Sequence, residues 1–119
     1  MPFSPSERER DACHDIVANA RRAKTFIGGS TFEAFVADDR TSYAVVRCLE
    51  IVSEASRRLS TETRSRHPDV PWRQIADAGN FYRHAYHGVS LDIVWLTVHD
   101  ELPVLVAAVE AELARSPDA

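Results

Sequence analysis

Residues 41–59, TSYAVVRCLEIVSEASRRL, decide the fold. Val45, Cys48, Leu49, Val52, Ala55 and Leu59 recur at steps of three and four, which lines them along one side of a helix. Glu50 and Glu54, four apart, fall together on another face. A strand would show a step of two instead. With only four glycines in the chain, and no dense alternation of β-branched residues, a sheet is not expected.

On the N-terminal side, Ser6 and Glu9 have the spacing of a capping box, so a first helix is expected from about Glu7 to Ile27. Ala12, Ile16, Val17, Ala20 and Ile27 suit its buried face. Gly28-Gly29 ends it, because glycine tolerates the left-handed turn beyond a helix. Ser30 and Glu33 form a second possible box before a short turn with Phe32, Phe35 and Val36. Asp38-Asp39 breaks that turn and can cap the helix of residues 41–59.

On the C-terminal side, Ser60 to Val70 reads as a loop or frayed turn. Pro71 then stands at a first helical position before Trp72, Ile75, Gly79, Tyr82 and Tyr86, an apolar stripe. The other side of this helix carries Arg73, Asp77, Asn80, Arg83, His84 and His87. Asn80 and His84 lie four apart, as do Arg83 and His87, so these polar groups stack over two turns. A histidine, an arginine and an amide on one stripe can move protons and neutralise phosphate. Past Gly88, Ser90 is a fair N-cap for Leu91, Val94, Trp95 and Val98. Pro103 predicts a kink or fresh start near Asp100, since it cannot donate a backbone hydrogen bond. Leu105, Val106, Val109 and Leu113 mark a last helix. The expectation is all-α: an antiparallel bundle of four to five helices in a single domain, residues 1–119.

Composition narrows the function classes. The chain has 119 residues, 45% of them hydrophobic and 27% charged, as in a globular domain with one core. No run of about 18 apolar residues exists to span a membrane, and MPFSPSERERD lacks the pattern of a signal peptide. The expected compartment is the cytoplasm. Cys13 and Cys48, outside any CxxC, read as buried free thiols. The net charge of −4 counts against a nucleic-acid ligand. Its distribution does not: residues 57–87 carry a local balance of +3, and residues 88–119 one of −5. The six arginines at 57, 58, 64, 66, 73 and 83 are either paired to neighbours or form a basic lip around the polar stripe.

Four segments in order, TSYAVVRCLEIVSEASRRL, RHPDVPWRQIA, GNFYRHAYHGVSLDIVW and ELPVLVAAVEAEL, resemble the HepT family of the HEPN superfamily. The resemblance spans nearly the whole chain. Its most specific parts are LEIVSEA, HPDVPWRQIA and the HxY before GVSLDIVW. It implies a HEPN-like helical fold, a homodimer, and a metal-independent ribonuclease without cofactor. It also implies the toxin half of a type VII toxin–antitoxin pair. The antitoxin would be a minimal nucleotidyltransferase that silences the toxin by transferring AMP to the motif tyrosine.

The family motif is Arg-Asn, three residues, His, one residue, Tyr. It falls here on Asn80, His84 and Tyr86, with Gly79 where the arginine belongs and Arg83 just before the histidine. Positions 79 and 83 differ by about 40° around a helix and one turn along it. Side chains lean toward the helix N-terminus, so an arginine at 83 can reach the space above Gly79, provided the helix continues through both. The resemblance then implies RNA cleavage by the 2′-hydroxyl on its own phosphate. His84 would move the proton, Arg83 would hold the phosphate charge, Asn80 would orient the imidazole, and Tyr86 would accept AMP.

Each residue also has a structural reading. His84 can close a hydrogen-bond network, Arg83 can pair with Glu50 or Glu54, Tyr86 can pack its ring, and Asn80 can be a structural amide. Trp72 and Trp95 read as core or dimer anchors. His84 and His87 lack further ligands for zinc. With Gly79 in place of the arginine, the alternative to a nuclease is a degenerate binding partner or AMP acceptor of the nucleotidyltransferase, or a helical dimer with only an interaction role.

Overall fold

Helices form wherever the sequence steps by three and four, and the described residues contain no strand. The computed structural model describes residues 5–84 and 90–115, with side chains from 7 to 79 and from 90 to 115. Four helices are long: α1 (Pro5–Ile27), α3 (Asp39–Arg57), α5 (Trp72–His84) and α7 (Leu102–Ala114). Three are short: α2 (Phe32–Ala37), α4 (Thr61–Ser65) and α6 (Leu91–Leu96). The architecture is the all-α bundle that the periodicity predicts.

α3 is the central element. It packs on α1 along one side and on α5 along another, and it also touches α2 and α6. Val45, Cys48, Leu49, Val52 and Ala55 are all buried, and Leu59 joins them just past the helix end. Ile16 from α1, Phe35 from α2, Val94 from α6 and Leu105 from α7 complete a continuous core. Burying each such side chain contributes about 1.5–3 kcal/mol.

The helix ends correct several expectations. Gly28 does terminate α1, with φ of 56°. α1 begins at Pro5, so Ser6 lies within it and is not its cap. Glu9 is used elsewhere: its carboxylate accepts from the Ser60 N–H at 2.6 Å and the Thr63 hydroxyl at 2.9 Å. Thr31, not Ser30, caps α2, its hydroxyl oxygen accepting from the Ala34 N–H at 3.1 Å. Asp38 caps α3 as expected, through the Thr41 N–H and hydroxyl. The segment expected as a loop holds α4, whose cap is Ser60, bonded by the Thr63 N–H at 3.1 Å.

Pro103 does not restart the chain. It sits in the first turn of α7, and α6 runs into α7 through a π-helical turn, Thr97–Glu101. The wider turn absorbs the bond that proline cannot make, without breaking the rod. The π-helical turn stands where the sequence predicts a kink or fresh start, near Asp100. Among the described residues, no helix is long and apolar enough to cross a membrane.

Candidate active site on helix α5

α5 starts from a fixed point. The Trp72 indole N–H donates to the carbonyls of Arg64 at 3.1 Å and His67 at 3.0 Å, tying the helix start to the α4 loop. Ile75 is buried beneath it. From there the helix runs unbroken through Gly79 to His84. The motif positions 79, 80, 83 and 84 therefore belong to one helix, which is the condition set for Arg83 to reach over Gly79.

Gly79 is where α5 meets α3 most closely. The Ser53 hydroxyl accepts the Gly79 N–H at 3.0 Å and donates to the Ala76 carbonyl at 2.9 Å. A Cβ on Gly79 would lie 2.4 Å from Ser53 Oγ and 2.9 Å from Ser53 Cβ. Contacts that short require the helices to move apart. Glycine here is a packing requirement, and no side chain fits at 79 while α3 stays in place.

The register of α5 then distributes the motif. Successive residues turn about 100°. Position 83 comes round to the arc between Gly79 and Ala76, which faces α3. Position 84 falls between Arg73 and Asp77, both exposed. Position 80 lies between those arcs. The side chains of Asn80, Arg83 and His84, and the whole of Tyr86 and His87, lie outside the described residues. On the α3 side, Glu50 is paired with Arg47 at 3.2 Å, while Glu54 is exposed.

The arginine cluster splits. Arg58 pairs with Asp15 of α1 at 2.7 Å, and Arg66 with Glu112 of α7 at 2.5 Å. Arg73 stands 3.9 Å from Asp77, both well exposed, and such a pair contributes little. Arg64 bonds the Ser60 carbonyl. Arg57, like Arg64, meets a backbone carbonyl, but one on another helix. Its Nε and Nη2 donate to the Ala76 carbonyl of α5 at 3.1 and 2.5 Å. No carboxylate among the described residues lies within 4 Å of it. In the sequence Arg57 is only one of the six arginines in residues 57–87. Its setting against a carbonyl 19 residues further on has no local signal.

Two carboxylates, Glu112 and Glu9, tie segments together. Glu112 takes Arg66 and, at 2.7 Å, His67 Nε2. The Arg66 hydrogen bond holds its carboxyl below the usual carboxylate range, against burial and with help from His67. Burial pushes the Glu9 carboxyl up, but the Ser60 N–H and the Ser60 and Thr63 hydroxyls outweigh it and leave it lowered. Cys13 and Cys48 are free and buried. Burial, with Glu112 and Glu9 adding, pushes the Cys13 thiol to about 11, and burial raises Cys48 too. Neither thiol is an activated nucleophile. Trp95 is a core anchor, 5.7 Å from the ring of Phe32 and 5.6 Å from that of Phe35.

Comparison with known proteins identifies the family. The family model described as Ribonuclease HepT-like matches residues 16–112. A probable ribonuclease HepT of Thermococcus cleftensis is 35% identical over 96 residues, covering 81% of this chain and 87% of that protein. A candidate RNase of Methanocaldococcus jannaschii is 31% identical over 97 residues, covering 82% of this chain and 89% of the relative. One from Caldanaerobacter subterraneus is 39% identical over 89 residues, 75% of this chain and 80% of its own. No solved structure matches. The match from α1 to α7, on a bundle whose motif helix is intact through His84, places this chain in the HepT-like ribonuclease family.

Proposed function

We propose that this chain is a metal-independent endoribonuclease of the HEPN type, and the toxin of a type VII pair. The observation that carries the reading is the family match across residues 16–112. An unbroken α5 that sets positions 80 and 84 one turn apart supports it. In the proposed reaction the RNA 2′-oxygen attacks the adjacent phosphorus and the 5′-oxygen leaves. A 2′,3′-cyclic phosphate and a 5′-hydroxyl result. His84 carries a proton in this exchange, since an imidazole titrates near neutral pH. Asn80 orients it from one turn earlier, and Arg83 neutralises charge on the phosphate.

Tyr86 is the proposed acceptor of AMP from a minimal nucleotidyltransferase antitoxin. The added anion would stand beside the histidine and repel RNA phosphate. The active form is proposed to be a cytoplasmic homodimer, with two such helices lining one cleft. Ile93 and Leu96 on α6 and Val104 on α7 are 50%, 54% and 39% exposed. Apolar groups left open on that side of the bundle support a second copy there.

Gly79 favours one competing reading, because its close approach to Ser53 leaves no room for the motif arginine. In that reading the chain keeps the partner and the AMP site but cuts nothing. Induced expression of the chain alone separates the two. The nuclease reading expects growth arrest that His84→Ala abolishes, whereas harmless wild-type expression favours the silent partner. Intact-mass analysis after co-expression with a nucleotidyltransferase expects added AMP, lost in Tyr86→Phe. Unmodified protein would overturn the AMP role.

A further inference from the structure

We infer that Arg57, on α3, is a phosphate-binding residue of the RNA site, supplying from a neighbouring helix the guanidinium that Gly79 cannot carry. The inference rests on the ribonuclease reading and adds a residue outside its motif.

Three observations meet at one place. Gly79 is closed by Ser53, so no cation can sit at that position of α5. Arg57 lies one turn along α3 from Ser53, and the two helices run antiparallel there. Its guanidinium reaches past Ser53 to the Ala76 carbonyl, which points along the helix axis toward position 80. The cation thus rests at the Ala76 carbonyl, roughly two turns of α5, about 10 Å, before position 84. An RNA strand lying along α5 would meet Arg57 at one phosphate and the position 84 arc about two turns further on.

The donor count fits. A guanidinium has five N–H groups in a planar fork. Arg57 commits its Nε–Nη2 edge to one carbonyl oxygen, which fixes the plane. The Nη1 side remains free among the described residues, and Arg57 is exposed. Among the described residues no carboxylate within 4 Å consumes the charge, in contrast to Arg58 and Arg66. A cation held rigidly by a neutral acceptor, with its outer edge in water, is arranged to receive a phosphate.

The test measures RNA binding in a His84→Ala background, with a labelled single-stranded oligoribonucleotide read by fluorescence anisotropy across a salt series. Arg57→Ala is expected to weaken binding at least threefold. It should also make the slope of log K against log salt shallower by about 0.7, one phosphate contact on a single strand. Arg57→Lys should keep that slope, because the charge remains. Arg58→Ala, beside it but paired to Asp15, should bind like the parent. Circular dichroism melts confirm that each variant is folded. A loss below threefold, an unchanged slope, or an equal loss in Arg58→Ala overturns the assignment while leaving the ribonuclease reading intact. A parent that binds no RNA overturns both.

Discussion

Arg57 and Arg66 are nine residues apart in the sequence and sit in opposite electrical settings. Arg66 meets Glu112 in a short ion pair that His67 shares, which ties the segment after α4 to α7. Among the described residues Arg57 meets only a backbone carbonyl, where α3 abuts α5. In the first region charge answers charge, and small polar groups of the α4 cap complete the network through Glu9. In the second, the helices touch through Ser53 and Gly79, and a full positive charge is left facing solvent. The first region holds the bundle together. The second keeps its charge available to an anion.

Four substitutions and titrations press on that contrast. Glu112→Ala should have the largest effect on stability, about 2–3 kcal/mol, because it strands both Arg66 and His67. The carboxylate is only 10% exposed, although Arg66, at 33%, limits the loss. Urea denaturation reads this, and a change under about 0.5 kcal/mol would remove the structural role. Gly79→Ala comes next. Alanine is preferred over glycine in a helix by about 1 kcal/mol, yet overpacking against Ser53 should cost about 1–3 kcal/mol. The net expectation is a destabilised protein, rescued when Ser53→Gly is added. A more stable Gly79→Ala variant would show that α3 and α5 separate freely.

Arg57→Ala should cost less than about 1 kcal/mol of stability, since its bond is exposed, and less than Arg66→Ala. If the two cost the same, the contrast disappears. The pH effect is smallest. Glu112 and Glu9 both have folded pKa values below their ordinary 4.5. Their contribution is therefore complete above that value and fades as pH falls through the lowered folded values. Thermal melts should drop across that acidic window, and less steeply in Glu112→Gln. An identical acid profile in that variant would mean that other carboxylates control the transition.

Much of the fold is legible in the sequence, and the failures have physical causes. The apolar steps in residues 41–59 and 102–114 follow from burial on one side of a helix, which makes α3 and α7 readable. Asp38 and Gly28 mark boundaries because cap geometry is local. Thr31 replaces Ser30 as a cap since neighbouring hydroxyl residues are equally able, and the packing of Phe35 fixes the start. α4 has no stripe to read, because TETRS holds no large apolar residue. Pro103 announces an irregularity, but a π-helical turn and a break look alike until the packing of α6 and α7 is known.

The site divides the same way. Asn80, His84 and Tyr86 are named by the family resemblance, and their side chains lie outside the described residues. Ser53 and Arg57 reach α5 from 19 or more residues away, and their role depends on how closely two helices approach. In the sequence Gly79 looks only like a gap in the motif. It is instead the contact point that sets the helix spacing.

Cleavage by the purified chain in the presence of a chelator tests the ribonuclease assignment head-on. A defined single-stranded RNA is incubated with wild type and with His84→Ala, and the product ends are identified. Fragments ending in 2′,3′-cyclic phosphate are expected from the wild type, and none from His84→Ala. Intact RNA with the wild type, or equal cleavage by the variant, would contradict it.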